Sequence, residues 1–550
     1  MTPTNREGGA KMAKTVLYNG KIYVERGRYA QALLQEDGFI RMVGSDEEVL
    51  ASAAGAEKID CRGKTVVPGF NDSHMHLFYM GRAMFFPDLT KARRAEDLTE
   101  LCRTYLEKNP HSKGFTAAGW NEETWEPRHR RKPNRADLDQ VSVEIPIVLT
   151  RVCAHACCVN SYVLKKLGID RAHTGFEGAG VEVDENGEPT GILTEKAFHA
   201  ALDLVPNLTR EELKQALAGA MEYAVSRGLT TVQSNDIGYV IKDQEACCAL
   251  MKEVYDEGRG LLRYTGQMFY DDAESLRAYC ESPQFGESYA DDWFRRGPLK
   301  LLKDGSLGAR TALLGFDYAD DPGNRGVEVN SDAYMQEMIH CAHDHGMQVV
   351  VHAIGDEAIK RVAAMYDEAN GGSGENPLRH SLIHCQITDE ALLSHIKASG
   401  LLVAYQPIFL QSDMHVVPTR CGDEIMKTSY AFGTAAETGI HASYGTDCPV
   451  EDLDPFACIY CAVTRKDLKG QPAGGFYPAE CVDVETAVDA YTMESAYHEF
   501  REDVKGRLKV GYYADLVVLD RDIFTCEPEA ILGTNPVLTM VGGKVVYRAD

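Results

Sequence analysis

From about residue 212 the chain alternates between two hydrophobic periods. Helical spacing of apolar positions marks EELKQALAGAMEYAVSRG and DAYMQEMIHCAHDHG. Helical stretches such as these alternate with short apolar runs: LTTVQSND, LLRYTGQMF, GPLKLLKDGSLG, MQVVVHAIGD, PLRHSLIHCQ, GLLVAYQPIF and IHASYGTDCPV. The earlier run Thr65-Val-Val-Pro-Gly-Phe70 reads as a buried strand. It brings the count to about eight. Strands that alternate with helices are parallel, and eight such units close into a (β/α)8 barrel, an α/β fold whose chemistry sits at the C-terminal ends of the strands.

The two ends of the chain have a different pattern. Residues 14–67 are short strands separated by turns. KTVLYNGKIYVERG holds two β-rich runs that this reading pairs as a hairpin across Asn19-Gly20. At the far end, GYYADLVVLDRD and PVLTMVGGKVVYRAD have the same character. The expectation is one small β-sandwich made from residues 14–67 and 508–550, with the barrel spanning 68–507. Residues 1–13 read as a disordered extension. An insertion at about 85–225 interrupts the barrel. It holds the strand GFTAAGW, the run IPIVLTRVCAHACCVNSYVLKKLGI read as a strand entering a helix, and a hairpin around Asn186-Gly187. A long insert of this kind serves as an active-site cover or as a packed subdomain.

Composition narrows the class. The apolar fraction of 44% and charged fraction of 25% are those of a globular protein. A net charge of −26 disfavours nucleic acid and anionic membrane as partners. No run approaches the roughly 18 apolar residues of a membrane span. The N-terminus lacks the apolar core of a secretory signal, so the expected compartment is the cytoplasm. Sixteen cysteines without such a signal point to free thiols. The single CxxC, Cys458-Ile-Tyr-Cys461, lies in an amphipathic stretch and reads as core. A homodimer is the default expectation for assembly.

The candidate chemistry lies where the barrel pattern places strand ends. His74 and His76 share one side of an extended chain, so both imidazoles can grip one metal ion. Lys300 and Lys303 lie on LKLLKDG, His352 ends VVVH, His384 ends SLIH, and Asp447 ends ASYGTD. A closed barrel brings these residues to one mouth. Four imidazoles and a carboxylate suit zinc or another late first-row divalent ion.

These motifs, with GWNEETW, AHACCVNS, LKLLKDGSLGARTALL, VVVHAIGDEAI, RHSLIHCQ and YGTDCPV, resemble the metal-dependent amidohydrolase superfamily over nearly the whole chain. The likeness is to its YtcJ-like branch, amidohydrolase family 3, which includes N-substituted formamide deformylases. The resemblance implies that His74 and His76 bind the more buried metal, that His352 and His384 bind a second or the only exposed one, and that Asp447 is both ligand and proton shuttle. It also implies that Lys300 is the strand-four lysine that CO2 converts into a metal-bridging carbamate. Lys303 is the rival for that role. Without a carbamate the site holds one metal.

The expected activity is hydrolysis of a non-peptide C–N bond in a small molecule: an amide, an N-acyl or N-formyl amine, or a cyclic amide. Trp120, His155 and Arg310 are candidate substrate contacts. The competing readings are deamination, ester or phosphoester hydrolysis, decarboxylation or isomerisation at the same site, and a catalytically silent scaffold.

Overall fold

A computed structural model describes residues 14–152, 156–175, 180–287 and 291–549. The extension 1–13 and His155 lie outside the described residues. The chain divides into two compact units, one made of the segments up to Tyr79 and from Ala220 onward, the other spanning Met80–Gly219.

The first unit contains the barrel. Its strands are β1 (Phe70–Met75), β2 (Leu229–Ile237), β3 (Arg263–Met268), β4 (Phe294–Leu302), β5 (Val349–Ala353), β6 (Ser381–His384), β7 (Leu402–Tyr405) and β8 (Ala442–Tyr444). They lie in sequence order, and every neighbouring pair is parallel. The circle is joined just beyond β8. There Asp447 N–H donates to His74 O at 2.8 Å, and His76 N–H donates to Cys448 O at 2.8 Å.

The apolar run at Thr65 divides differently from the reading above. Thr65–Pro68 is a sandwich strand, pairing with Lys21–Ile22 and with Leu516–Val518. The barrel strand is the more polar Phe70–Met75, so His74 lies within it rather than after it. The break falls at Gly69, where a Cβ would lie 2.1 Å from Thr230 Oγ1. Only a glycine lets the two strands approach at that corner.

The sandwich joins both chain ends, as expected, but the proposed hairpin does not form. Thr15–Tyr18 pairs with Ala32–Glu36 and Glu57–Asp60, while Lys21–Glu25 joins the other sheet beside Thr65–Pro68. At Asn19, with φ +53°, the chain passes from one sheet to the other. Its side chain donates to Asp60 and its backbone N–H to Asp46, so the turn is anchored to its own sheet's neighbours instead of closing a hairpin. Leu17, Leu33, Val66, Leu516 and Leu538 from both sheets meet in one core.

The second unit is a five-stranded sheet in the order Val181–Val183, Pro189–Thr194, Ala156–Val159, Ile147–Arg151, Phe115–Trp120. Ala156–Val159 is a strand that the sequence reading ran together with its neighbours. Side chains alternate between two cores. Ile147, Leu149, Cys158 and Ile192 enter one, and Val148, Cys157, Val159 and Leu193 the other. This unit therefore has the interior of a packed subdomain.

Cys458 and Cys461 are buried on the helix Pro455–Thr464, and the described cysteines are all free. Among the described residues, no helix is long and apolar enough to cross a membrane.

Candidate metal centre

Five of the residues singled out from the sequence belong to one cluster at the C-terminal ends of the barrel strands, and Lys300 is near enough to act on the rings electrostatically. The His74 ring lies 5.4 Å from His76 and 5.5 Å from His384, and His384 lies 4.5 Å from His352, measured between centroids. Asp447 Oδ1 is 3.4 Å from His74 Nε2 and 3.2 Å from His76 Nε2. One potential ligand atom from each of His74, His384 and Asp447 falls within 4.8 Å of the other two.

The surrounding hydrogen bonds decide which ring nitrogens carry protons. His74 Nδ1 faces Gln267 Oε1 at 3.0 Å, His76 Nδ1 faces Asn235 O at 3.0 Å, and His384 Nδ1 faces Gln406 Oε1 at 2.7 Å. Each Nδ1 therefore donates, and in the neutral ring each Nε2 keeps its lone pair. His352 is reversed: Nε2 lies 3.0 Å from Gly305 O, which leaves Nδ1 as the free nitrogen. Nε2 of His74 and Nε2 of His76 thus both face Asp447 Oδ1, the first as the lone pair of a neutral ring, the second as a lone pair or, when His76 is protonated, as a donor to that oxygen. Asp447 Oδ1 is buried and accepts no hydrogen bond among the described residues. The neutral His74 Nε2 and the Asp447 oxygen, both acceptors, repel one another unless a cation lies between them. A divalent metal fits this donor set in charge and chemistry.

The two lysines separate clearly. Lys300 is 2% exposed, and its Nζ has no hydrogen-bond partner among the described residues. Burial lowers its amine to about 7, against the pull of Asp447. Lys303 is also buried, but it is bound to Glu328 at 2.5 Å, to Asn330 O at 3.1 Å and to Asp332. Its charge is spent within the protein.

Burial dominates the other shifts. It drives His74 and His384 well below 6.5 and His352 to about 3, with Lys300 adding to each. His76 goes the other way. Burial lowers it, but its contact with Asp447 outweighs that and raises it. Two further carboxylates escaped the sequence reading. Asp72 accepts from His74 N–H, from Thr446 N–H and from Thr446 Oγ1, tying β1 to the loop that carries Asp447. Asp304 accepts from the backbone N–H groups of Leu313, Ile354 and Gly355. Burial raises both carboxyls to about 7. His384 and Asp447 have φ of +77° and +56°, a backbone region held only where the surroundings enforce it.

Two candidate substrate contacts take other roles. Trp120 is a core residue of the second unit, 1% exposed, with Nε1–H donating to Leu149 O at 3.1 Å. It is packing, as an indole with a satisfied N–H normally is. Arg310 does meet a carboxylate, but the protein's own: its guanidinium binds Asp320 at 2.7 and 3.1 Å.

Comparison with known proteins gives the family of the chain. A model of the amidohydrolase family matches residues 57–547. The Bacillus subtilis (strain 168) protein named as the amidohydrolase YtcJ is 32% identical over 542 residues, spanning 97% of this chain and 99% of that one. The N-substituted formamide deformylase of Arthrobacter pascens is 26% identical over 553 residues, spanning 95% of this chain and 96% of its own. The crystal structure of an uncharacterized metal-dependent hydrolase from Pyrococcus furiosus matches with a TM-score of 0.74 at 27% identity, covering 93% of this chain and 100% of that one.

Proposed function

The chain belongs to the amidohydrolase family, and from that premise we propose that it is a metal-dependent hydrolase of a non-peptide C–N bond. Its substrate class is an amide, an N-acyl or N-formyl amine, or a cyclic amide. The observation that carries this reading is that Nε2 of His74 and Nε2 of His76 converge on one buried Asp447 oxygen, near a buried Lys300 whose Nζ has no hydrogen-bond partner among the described residues.

His74, His76, His384 and Asp447, with Nδ1 of His352, would hold the ion or ions, zinc being the first candidate. A divalent ion in this place supplies a water of lowered pKa and a positive charge for the carbonyl oxygen. Asp447 takes a proton from the attacking water through one carboxylate oxygen and returns it to the leaving nitrogen. Gln267, Gln406 and the Asn235 carbonyl keep the three imidazoles in the Nδ1–H tautomer. Lys300, buried and free of partners, presents the neutral amine that reaction with CO2 requires. We read it as the carbamylated lysine in preference to the salt-bridged Lys303.

The test is metal content per chain by elemental analysis of protein purified without added metal or chelator, for the wild type and Lys300→Ala. Two metals per chain falling to one or none in the variant support a carbamate-bridged pair. One metal in both assigns a single-ion site and removes Lys300 from it. No metal in either, with none taken up from added zinc or manganese, overturns the hydrolase. Turnover of matched amides, esters and phosphoesters with product identification then assigns the bond. Cleavage of the esters or phosphoesters alone overturns the C–N assignment.

A further inference from the structure

One feature beside the metal centre has no part in the chemistry above. Tyr239 follows the end of β2 by two residues. Its ring lies 5.6 Å from the His76 imidazole and 6.2 Å from the ring of Tyr79, which follows His76 by three residues. Both tyrosines are half exposed, Tyr239 at 50% and Tyr79 at 47%. The aromatic neighbour on another side of the centre differs: Phe409 is stacked on His384 at 5.8 Å and is 9% exposed. Phe409 is core, whereas Tyr239 presents an open face.

The backbone holds Tyr239 in place. Its N–H and that of Val240 both donate to Asp236 O, at 3.1 and 2.8 Å. The turn requires Gly238, with φ +81°, where a Cβ would lie 2.3 Å from Phe269 O. The buried Asp236 carboxylate also accepts from the N–H groups of Phe78 and Tyr79, so one residue anchors both tyrosines, Tyr239 through its backbone carbonyl and Tyr79 through its side chain. Among the described residues, neither phenol hydroxyl has a hydrogen-bond partner. Single exposed aromatics are ordinary on protein surfaces. A rigidly held pair in contact with a candidate metal ligand is not, because leaving two ring faces in water forgoes the gain that a ligand would realise by covering them.

We propose that Tyr239, with Tyr79 beside it, is the stacking surface for a planar apolar group on the substrate amide, so that the enzyme prefers aryl-bearing amides to aliphatic ones of similar size. This rests on the hydrolase reading above. It makes Tyr239 a specificity residue that touches substrate at a distance from the scissile bond.

The experiment compares substrates of equal bulk and different flatness: formanilide with N-cyclohexylformamide, and N-methylbenzamide with N-methylcyclohexanecarboxamide. The variants are Tyr239→Phe, Tyr239→Leu and Tyr239→Ala, each checked for unchanged circular dichroism and metal content. In at least one pair, Leu and Ala should lower kcat/KM for the aryl member about tenfold and for the cyclohexyl member less than threefold. Phe should stay within threefold for both. Equal losses for both members of each pair, or no loss, overturn the proposal while leaving hydrolysis intact. If no amide is turned over, calorimetric affinities of the same compounds give the separate answer. A preference for the aryl member that Tyr239→Leu removes supports the stacking surface although the reaction reading has failed. No preference in the wild type overturns it.

Discussion

The two ends of the barrel bury polar groups in opposite ways. At the N-terminal ends of the strands lies Glu499, 4% exposed. Its carboxylate accepts from Asn71 at 2.7 Å and Thr265 at 2.6 Å, binds Lys505 at 2.5 Å and faces Arg295 at 3.7 Å. The carboxylate there is fully used. At the C-terminal ends Lys300 and Asp447 are buried to a similar degree, yet Lys300 Nζ and Asp447 Oδ1 have no hydrogen-bond partner among the described residues. Burying a polar group without a partner costs roughly 1–3 kcal/mol, and more for a charge. A fold that fully satisfies the Glu499 carboxylate while leaving Lys300 Nζ and Asp447 Oδ1 without hydrogen bonds among the described residues is consistent with keeping those two groups for something the protein binds. On the function proposed above, the first cluster serves stability and the second serves chemistry.

Substitution at the mouth should give the largest effect, and on activity alone. Asp447→Asn keeps the shape of the side chain but removes the proton acceptor. Turnover is expected to fall by about 10²–10⁴-fold. The thermal midpoint of the chelator-treated protein should hold or rise, since the variant no longer buries an unsatisfied carboxylate. A lower midpoint would place Asp447 among the structural groups and dissolve the contrast between the two ends.

The paired end should respond in the opposite sense. Glu499→Gln leaves Lys505 and Arg295 without their counter-charge, and breaking a buried pair from one side costs about 3–5 kcal/mol. Denaturant unfolding at pH 7 measures this, with metal content per chain unchanged. The pH dependence has a definite sign. Burial pushes the Glu499 carboxyl up, but Lys505 and Arg295 outweigh burial and hold it below its ordinary 4.5. The folded value is therefore the lower one. The stabilisation is present above about pH 4.5 and is lost as pH falls through the folded value. The gap between wild type and variant should narrow below pH 4.5. A constant gap would mean that the carboxylate charge contributes nothing.

The contrast also shows what a sequence can reveal. The barrel was legible because its two hydrophobic periods alternate over more than 200 residues, and His74, His76, Lys300, His352, His384 and Asp447 stood out as reactive types at strand ends. The choice between Lys300 and Lys303 came from motif position; in three dimensions the partners Glu328 and Asp332 separate them. Asp72, Asp304, Gln267 and Gln406 were not legible. Each is one polar residue within or beside an apolar run, and its partner lies far along the chain. Gln267, for example, faces His74 across 193 positions. Trp120 looked available because it follows a strand, but sequence does not show whether an indole N–H is already satisfied. The hairpin at Asn19 failed for a related reason: two alternating runs around Asn-Gly fit one sheet or two equally well, and the anchors at Asp46 and Asp60 decide it.

Gln406 gives the smallest and sharpest test, because it is itself fully paired while serving the unpaired end. Its Nε2 donates to Ala404 O at 3.0 Å, which fixes the amide so that Oε1 points to His384. That oxygen accepts a hydrogen bond from His384 Nδ1–H at 2.7 Å, which leaves Nε2 as the lone-pair nitrogen. Gln406→Leu should therefore weaken metal binding by about 10–100-fold, the usual effect of losing a ligand's hydrogen-bonded support, as read by competition with a chromophoric chelator. Gln406→Glu keeps the acceptor for His384 Nδ1–H but loses the donor to Ala404 O, so it should restore part of that affinity. If Gln406→Leu binds metal as tightly as the wild type, His384 does not depend on this tautomer, and the lone pairs at the mouth are not directed by the residues behind them. If Leu and Glu weaken binding equally, Gln406 acts through packing, and the division of the barrel into a satisfied end and a reserved end fails at the residue that joins them.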